Sequence, residues 1–166
     1  MKTYKNKLYV MVGVPGSGKS TFIKNNKKEK DIYVSRDQIR FKYLKEGEPY
    51  FTHEKQVFKE FLFEISEALK AGKDVYADAT HLNRVSRAKL IHGLDVPLND
   101  IEIIAVYIRE SLGTCLTQNA MRQGRSFVPE PQIRQMYANL ETPTMQEGFS
   151  RIYTYSNSSL EKLIRE

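Results

Sequence analysis

Gly13, Pro15, Gly16, Ser17 and Gly18 run into Lys19, Ser20 and Thr21 in the pattern G-x-x-x-x-G-K-S. Residue types at this spacing hold phosphate. Glycines allow successive backbone N–H groups to converge on anionic oxygens, and a helix that follows aims its positive end at the same place. A lysine at position 19 reaches the β- and γ-phosphates of a nucleotide, and the Ser20 hydroxyl suits Mg²⁺. Average residue frequencies put a chance match in a chain of this length at about 1%. The context agrees: the apolar run at residues 7–12 reads as a strand, and residues 21–23 continue as a helix.

Three further segments carry groups that a kinase needs. Transfer of a phosphoryl group to a hydroxyl requires a base for the attacking oxygen and positive charge on the group in flight. Ser35-Arg36-Asp37-Gln38-Ile39-Arg40 follows an apolar run, so Asp37 is placed at a strand end as the candidate base. Arg40, three residues on, shares its helical face and would hold Asp37 or an acceptor phosphate; the pair is equally readable as a surface ion pair. Asp78, Thr80, His81 and Asn83 follow another apolar run. Asp78 suits a water-mediated place in the Mg²⁺ shell, a brace for Arg40 or the P-loop, or a plain turn. Thr80, His81 and Asn83 would line the acceptor site or cap the next helix. Arg122 and Arg125, beside Gly124, would swing over the phosphates from a mobile lid spanning about 111–129.

These residues need a frame in which strand ends converge. Strand-like runs at 31–34, 74–77, 101–108 and 152–155 alternate with helical patterns at 35–43, 85–94, 111–123 and 130–140. A longer helix carries Phe58, Phe61, Leu62, Ile65 and Leu69 and stops at Gly72, and a short closing helix is expected over 159–165. Ser35 with Gln38 three residues later reads as a capping box. Alternation of this kind predicts a three-layer α/β/α sandwich around a five-stranded, mainly parallel sheet, of nucleoside-kinase type, as one domain over residues 1–166.

Composition is compatible with such a domain. The chain has 166 residues, 40% of them hydrophobic and 28% charged, which is an ordinary balance for a soluble protein. No apolar run reaches membrane-spanning length, and residues 1–5 read as the lead into the first strand rather than as a signal peptide. Cys115 is the single cysteine, so no disulfide forms within the chain and a reducing, cytoplasmic location is expected. His53, His81 and His92 lack metal-ligand spacing. The net charge of +6 favours a polyanionic partner. GTPase switch and base-reading motifs are absent.

Taken together, the P-loop, the Arg36-Asp37/Arg40 segment, the Asp78-Thr80-Asn83 segment and the arginine-bearing segment ending in Val128-Pro129 resemble the polynucleotide 5′-hydroxyl kinases of phage and bacterial RNA repair. The likeness spans residues 7 to about 140 and takes in Ile133-Arg134-Gln135-Met136-Tyr137 after the lid. It implies ATP and Mg²⁺ as cofactors and the 5′-OH end of DNA or RNA as acceptor. By position it makes Asp37 the general base and places Lys19 and Ser20 on phosphate and Mg²⁺. Arg40 falls on the acceptor's phosphate, Asp78 behind it and Arg122 on the phosphates, with Arg125 a weaker match. Gln118 stands where many relatives carry arginine, and no phosphatase or ligase of the kind some relatives fuse to this domain is expected within these 166 residues. Two other readings stay open: a small-molecule kinase with the same chemistry, and a non-catalytic ATP-binding module. A polynucleotide acceptor predicts a basic groove, with Lys42, Lys45 and Tyr43, Tyr50 or Phe51 at its rim. Oligomeric state is left open.

Overall fold

The computed structural model describes residues 3–124 and 127–156, together with the backbone of 164–165. Its sheet has the strand order β2-β3-β1-β4-β5-β6, made from β1 (Asn6–Val12), β2 (Ile32–Ser35), β3 (Val75–Asp78), β4 (Ile101–Ile108), β5 (Arg151–Tyr155) and β6 (Ile164–Arg165). The first five are parallel; β6 runs antiparallel to β5, with Thr154 opposite Ile164. The sheet therefore has one strand more than the five expected. Ile164 and Arg165 pair with an open sheet edge instead of ending a helix, which satisfies backbone groups on β5. The remainder of the expected closing helix, like Arg125 of the lid, lies outside the described residues.

Both faces of the sheet are covered, so its strands are apolar almost throughout. Leu8, Val10, Val12, Val75, Ala77 and Ala105 face a layer containing α3 (Glu54–Lys70) and α4 (Arg84–Gly93). In α3 the buried stripe is Val57, Phe61, Ile65 and Leu69, each no more than 3% exposed. Phe58 and Leu62, expected in that stripe, flank it and are partly buried. Met11, Tyr76, Ile104, Val106 and Tyr153 face the other way, against Phe22 and Ile23 of α1 (Lys19–Asn26). Strand alternation fixes the consequence for the site: Tyr33, Ser35 and Asp78 stand on the face shared with α1, because Ser35 is paired with Asp78 and Tyr33 with Tyr76.

A smaller apolar cluster lies beside the P-loop. Val14 packs with Cys115 of α5 (Leu112–Ala120), Val128 and Ile133 of α6 (Glu130–Ala138). Parallel strands place all their C-terminal ends on one side, and every candidate residue follows such an end. Among the described residues, no helix is long and apolar enough to cross a membrane.

Candidate active site

The loop after β1 is shaped by main-chain geometry. Gly16 and Gly18 have φ of 83° and 109°, in the left-handed region that glycine adopts without strain. A Cβ on Gly16 would stand 2.5 Å from the Cys115 carbonyl oxygen, so α5 has closed onto the loop as far as glycine permits. The Gly13 N–H donates to the Thr80 carbonyl at 3.0 Å, tying the loop to the segment after β3. Gly18 caps α1 without a side-chain bond, leaving the first N–H groups of that helix for an incoming anion. Gly13 and Ser17 are buried behind the loop; Pro15, Gly16, Gly18, Lys19, Ser20 and Thr21 line a cavity of about 1040 Å³.

Lys19 is folded onto this loop, its Nζ donating to the carbonyls of Gly13 at 2.9 Å and Val14 at 3.0 Å. Burial lowers its pKa, and the carboxylate of Asp78 acts against that shift. Asp78 is itself 9% exposed; burial raises its pKa, and Lys19 opposes the rise. The Tyr33 hydroxyl donates to Asp78 Oδ2 at 2.6 Å. Burial and the neighbouring carboxylate hold that phenol well above its ordinary pKa, so it remains a donor.

Across the cavity, α2 (Arg36–Tyr43) begins at Ser35, whose hydroxyl caps the Gln38 N–H at 3.2 Å. This is half of the capping box expected there. The Arg40 side chain is 5% exposed and that of Asp37 is 52% exposed, so Arg40 is an anchor and Asp37 faces the cavity. Arg40 donates from Nε and Nη2 to the two Glu54 oxygens, at 2.7 and 2.6 Å. From Nη1 it donates to Asp37 Oδ1 and, at 2.9 Å, to the Tyr50 hydroxyl. Tyr50 in turn donates to Asp37 Oδ1. Arg36 reaches Glu54 at 3.3 Å and lies over the Phe58 ring. Four of the five guanidinium N–H groups of Arg40 are thus committed within the chain.

The remaining expectations divide. Arg122 and Gln118 line the cavity, as do Thr80, Lys45, Tyr50 and Phe51. Arg122 is close enough to Lys19 and Asp78 to influence both electrostatically. Asn119 clasps Val128 from both sides, Nδ2 to its carbonyl at 2.6 Å and Oδ1 from its N–H at 3.0 Å. Asn83 stands outside the cavity lining; it caps α4, accepting from Ser86 N–H at 2.8 Å. Lys42 and Tyr43 turn away from the rim and both bond Glu60. His81 is buried under the P-loop strand with Nδ1 on the Met11 carbonyl at 2.6 Å, and burial pulls its pKa down to about 4. The acceptor side is not the basic groove expected: Asp37, Glu46, Glu48 and Glu54 stand among Arg36, Arg40 and Lys45.

Tyr33 and Glu54 are absent from the sequence-based set, and Tyr50 was expected only at the rim of the acceptor groove, not on Asp37. Tyr33 was within reach of strand periodicity, two residues before Ser35 and on the same face. Nothing local marks Glu54, or pairs Tyr50 with Asp37; both meet Asp37 and Arg40 only through the fold.

A protein-family model described as an AAA domain matches residues 8–143, most of the chain. The chain belongs to this AAA-domain family. Within it the fold is of the kinase-type, nucleotide-binding P-loop kind. An Arabidopsis thaliana protein, transcription factor bHLH140, is 26% identical over 166 residues, covering 96% of this chain and 17% of its own length. The AAA-domain chain thus spans about a sixth of the curated relative it matches. Among solved structures, a chain of the Pnkp1/Rnl/Hen1 RNA repair complex superposes with a TM-score of 0.67 at 20% identity, over 84% of this chain and 45% of that one. A fungal RNA kinase gives 0.66 at 12% identity, over 94% and 76%. A gluconokinase from Sinorhizobium meliloti gives 0.58 at 20% identity, over 93% and 83%. At these identities the three establish a shared fold.

Proposed function

We propose that this AAA-domain protein is an ATP-dependent phosphotransferase that moves the γ-phosphoryl group to a hydroxyl, with the 5′-OH end of DNA or RNA as acceptor. The observation that carries the reading is the placement of Asp37. It is an accessible carboxylate held by a buried arginine, in the same cavity as the P-loop and Lys19.

The residues present fit a nucleotide with Mg²⁺. The glycine cradle and the uncapped start of α1 suit phosphate oxygens, Ser20 would supply a hard oxygen ligand, and Asp78 would reach the ion through water. When bound, Mg²⁺ neutralises charge on the β- and γ-phosphates. Lys19 exchanges its two carbonyl partners for phosphate. Asp37 orients the acceptor hydroxyl and takes its proton as the new P–O bond forms and ADP departs with the old one. Arg122 approaches the phosphates from the lid over about 111–129, with Arg125 as a second candidate, and Thr80 borders the acceptor. The whole of residues 1–166 forms one kinase domain in this reading. A cytoplasmic site belongs to the same reading and is consistent with the free Cys115.

One observation favours a smaller acceptor: the mixed charge around Asp37, which lacks the basic track that a phosphate backbone rewards. Incubation with γ-labelled ATP, Mg²⁺ and a 5′-OH oligonucleotide, beside its 5′-phosphorylated twin, separates the readings. Label on the 5′-OH strand alone supports the polynucleotide acceptor. No label on either strand, with ATP bound, overturns it and turns attention to small polyols and nucleotides. Absence of transfer to any hydroxyl leaves a nucleotide-binding module.

A further inference from the structure

Asp37 has two oxygens in unlike surroundings. Oδ1 accepts from Arg40 and from the Tyr50 hydroxyl. Among the described residues Oδ2 accepts no hydrogen bond, and the side chain is 52% exposed, so Oδ2 is the oxygen an acceptor hydroxyl meets. A carboxylate held at one oxygen by a single donor can still swing about that bond. Two donors arriving from different parts of the chain fix its plane. Arg40 arrives from α2 and is itself locked by the two bonds to Glu54. Tyr50 arrives from the segment between α2 and α3. Its ring meets Phe41 and Phe51 edge-on, at centroid distances of 6.3 and 4.8 Å, and the Arg40 guanidinium lies 4.5 Å from its centroid. The phenol therefore has a fixed approach to Asp37, and the aromatic rim of the acceptor side is mechanically joined to the carboxylate.

We infer that Tyr50 is a positioning residue for phosphoryl transfer: with Arg40 it pins Oδ1 of Asp37 and presents Oδ2 to the acceptor hydroxyl. The inference rests on the reading of Asp37 as the base. The proton leaves the acceptor for Oδ2, while Tyr50 keeps its own proton throughout. In this role Tyr50 acts through Asp37, to whose Oδ1 its hydroxyl donates.

Tyr50→Phe removes the hydroxyl and keeps the ring packing. It is compared with Asp37→Asn and with the double variant, using the full chain and a 5′-OH oligonucleotide. Tyr50→Phe is expected to lower kcat about tenfold, the worth of a hydrogen bond to a charged group, with KM for ATP within about twofold and an unchanged thermal midpoint. In the Asp37→Asn background the same change is expected to cost less than about twofold, because the group it positions is gone. An equal loss in both backgrounds, or no loss in either, overturns the positioning role while leaving Asp37 as base. An Asp37→Asn protein that turns over at the wild-type rate overturns the reading of Asp37, and the role of Tyr50 with it.

Discussion

On the P-loop side of the cavity, the groups that would meet phosphate are main-chain N–H groups in a glycine turn, with one lysine folded onto two carbonyls. On the proposed acceptor side, the carboxylate of Asp37 is held by side chains: Arg40 and Tyr50 on Asp37, and Glu54 behind Arg40. A main-chain site depends on local conformation, which a short contiguous motif specifies. A side-chain site depends on several segments arriving together, here α2, the segment after it and the first turn of α3. The first kind changes little when a side chain other than that lysine is altered, unless a glycine is replaced. The second is a chain of dependencies in which each removed member frees the next.

The sharpest way to break this contrast is to strike the acceptor side and read the effect on both. Asp37→Ala should cut turnover by about two to four orders of magnitude with ATP affinity nearly intact. Equilibrium binding of a non-hydrolysable ATP analogue beside steady-state rates checks the split. Loss of analogue binding in Asp37→Ala would mean that the two sides are not separable.

Next in size is Glu54→Ala. Arg40 is almost wholly buried, and Glu54 is the carboxylate that accepts from both its Nε and Nη2. Leaving that charge with its other bonds alone should destabilise the fold by about 3 kcal/mol, the lower end for a broken buried pair. Transfer should fall because Arg40 no longer has a fixed place from which to hold Asp37. Urea unfolding together with analogue binding measures both. A variant with unchanged stability and turnover would show that Asp37 and Tyr50 suffice to hold Arg40.

The same contrast explains what could be read before the structure. The P-loop, the β4 strand at Ile101–Ile108 and the parallel order follow from contiguous patterns, and each stands as expected. Asp37, Asp78 and Arg122 were reachable because strand ends converge in such sheets, which puts residues after a strand at the cavity. Asn83 had two uses open to it, and capping won: its side-chain oxygen accepts from Ser86 N–H, and that reciprocal pair is local and complete. Lys42 and Tyr43 were drawn to Glu60 on α3, a partner that a one-dimensional pattern cannot supply. Glu54 and Tyr50 lie 14 and 10 residues from Arg40 along the chain and meet it only because α2 packs on α3. The sixth strand depended on an open edge of β5, which exists only once the sheet is formed.

Protonation probes the boundary beneath the P-loop, where His81 is buried against the Met11 carbonyl. An unfolded chain takes up a proton on this ring near pH 6.5, while the folded ring, lowered mainly by burial, refuses it until about pH 4. The histidine's contribution is therefore fully favourable above pH 6.5 and is lost as pH falls towards 4, by about 3 kcal/mol at most. His81→Gln should flatten that part of the stability curve in denaturant titrations at pH 7, 6, 5 and 4. A wild-type curve that is already flat over this range would place the ring in solvent-accessible surroundings.

The smallest expected effect concerns Tyr33, and it tests whether the two sides are independent at all. Tyr33 belongs to β2, the strand that leads into Asp37, yet its hydroxyl is bonded to Asp78, which faces Lys19 and the P-loop. It therefore stands at the seam. Tyr33→Phe keeps the ring and removes one hydrogen bond to a buried carboxylate, a change of about 1.5 kcal/mol or roughly tenfold in an equilibrium constant. If Asp78 serves the nucleotide side alone, the loss should fall on Mg²⁺-dependent ATP binding and leave kcat for the acceptor unchanged at saturation. If the β2–β3 strand ends act as one support, KM for ATP and kcat should both move, each by less than tenfold. Steady-state kinetics at saturating and limiting Mg²⁺ distinguish the two patterns. The shared register of Ser35 with Asp78 favours the second, because a shift at the end of β3 is passed to β2 through their backbone ladder and so to the start of α2.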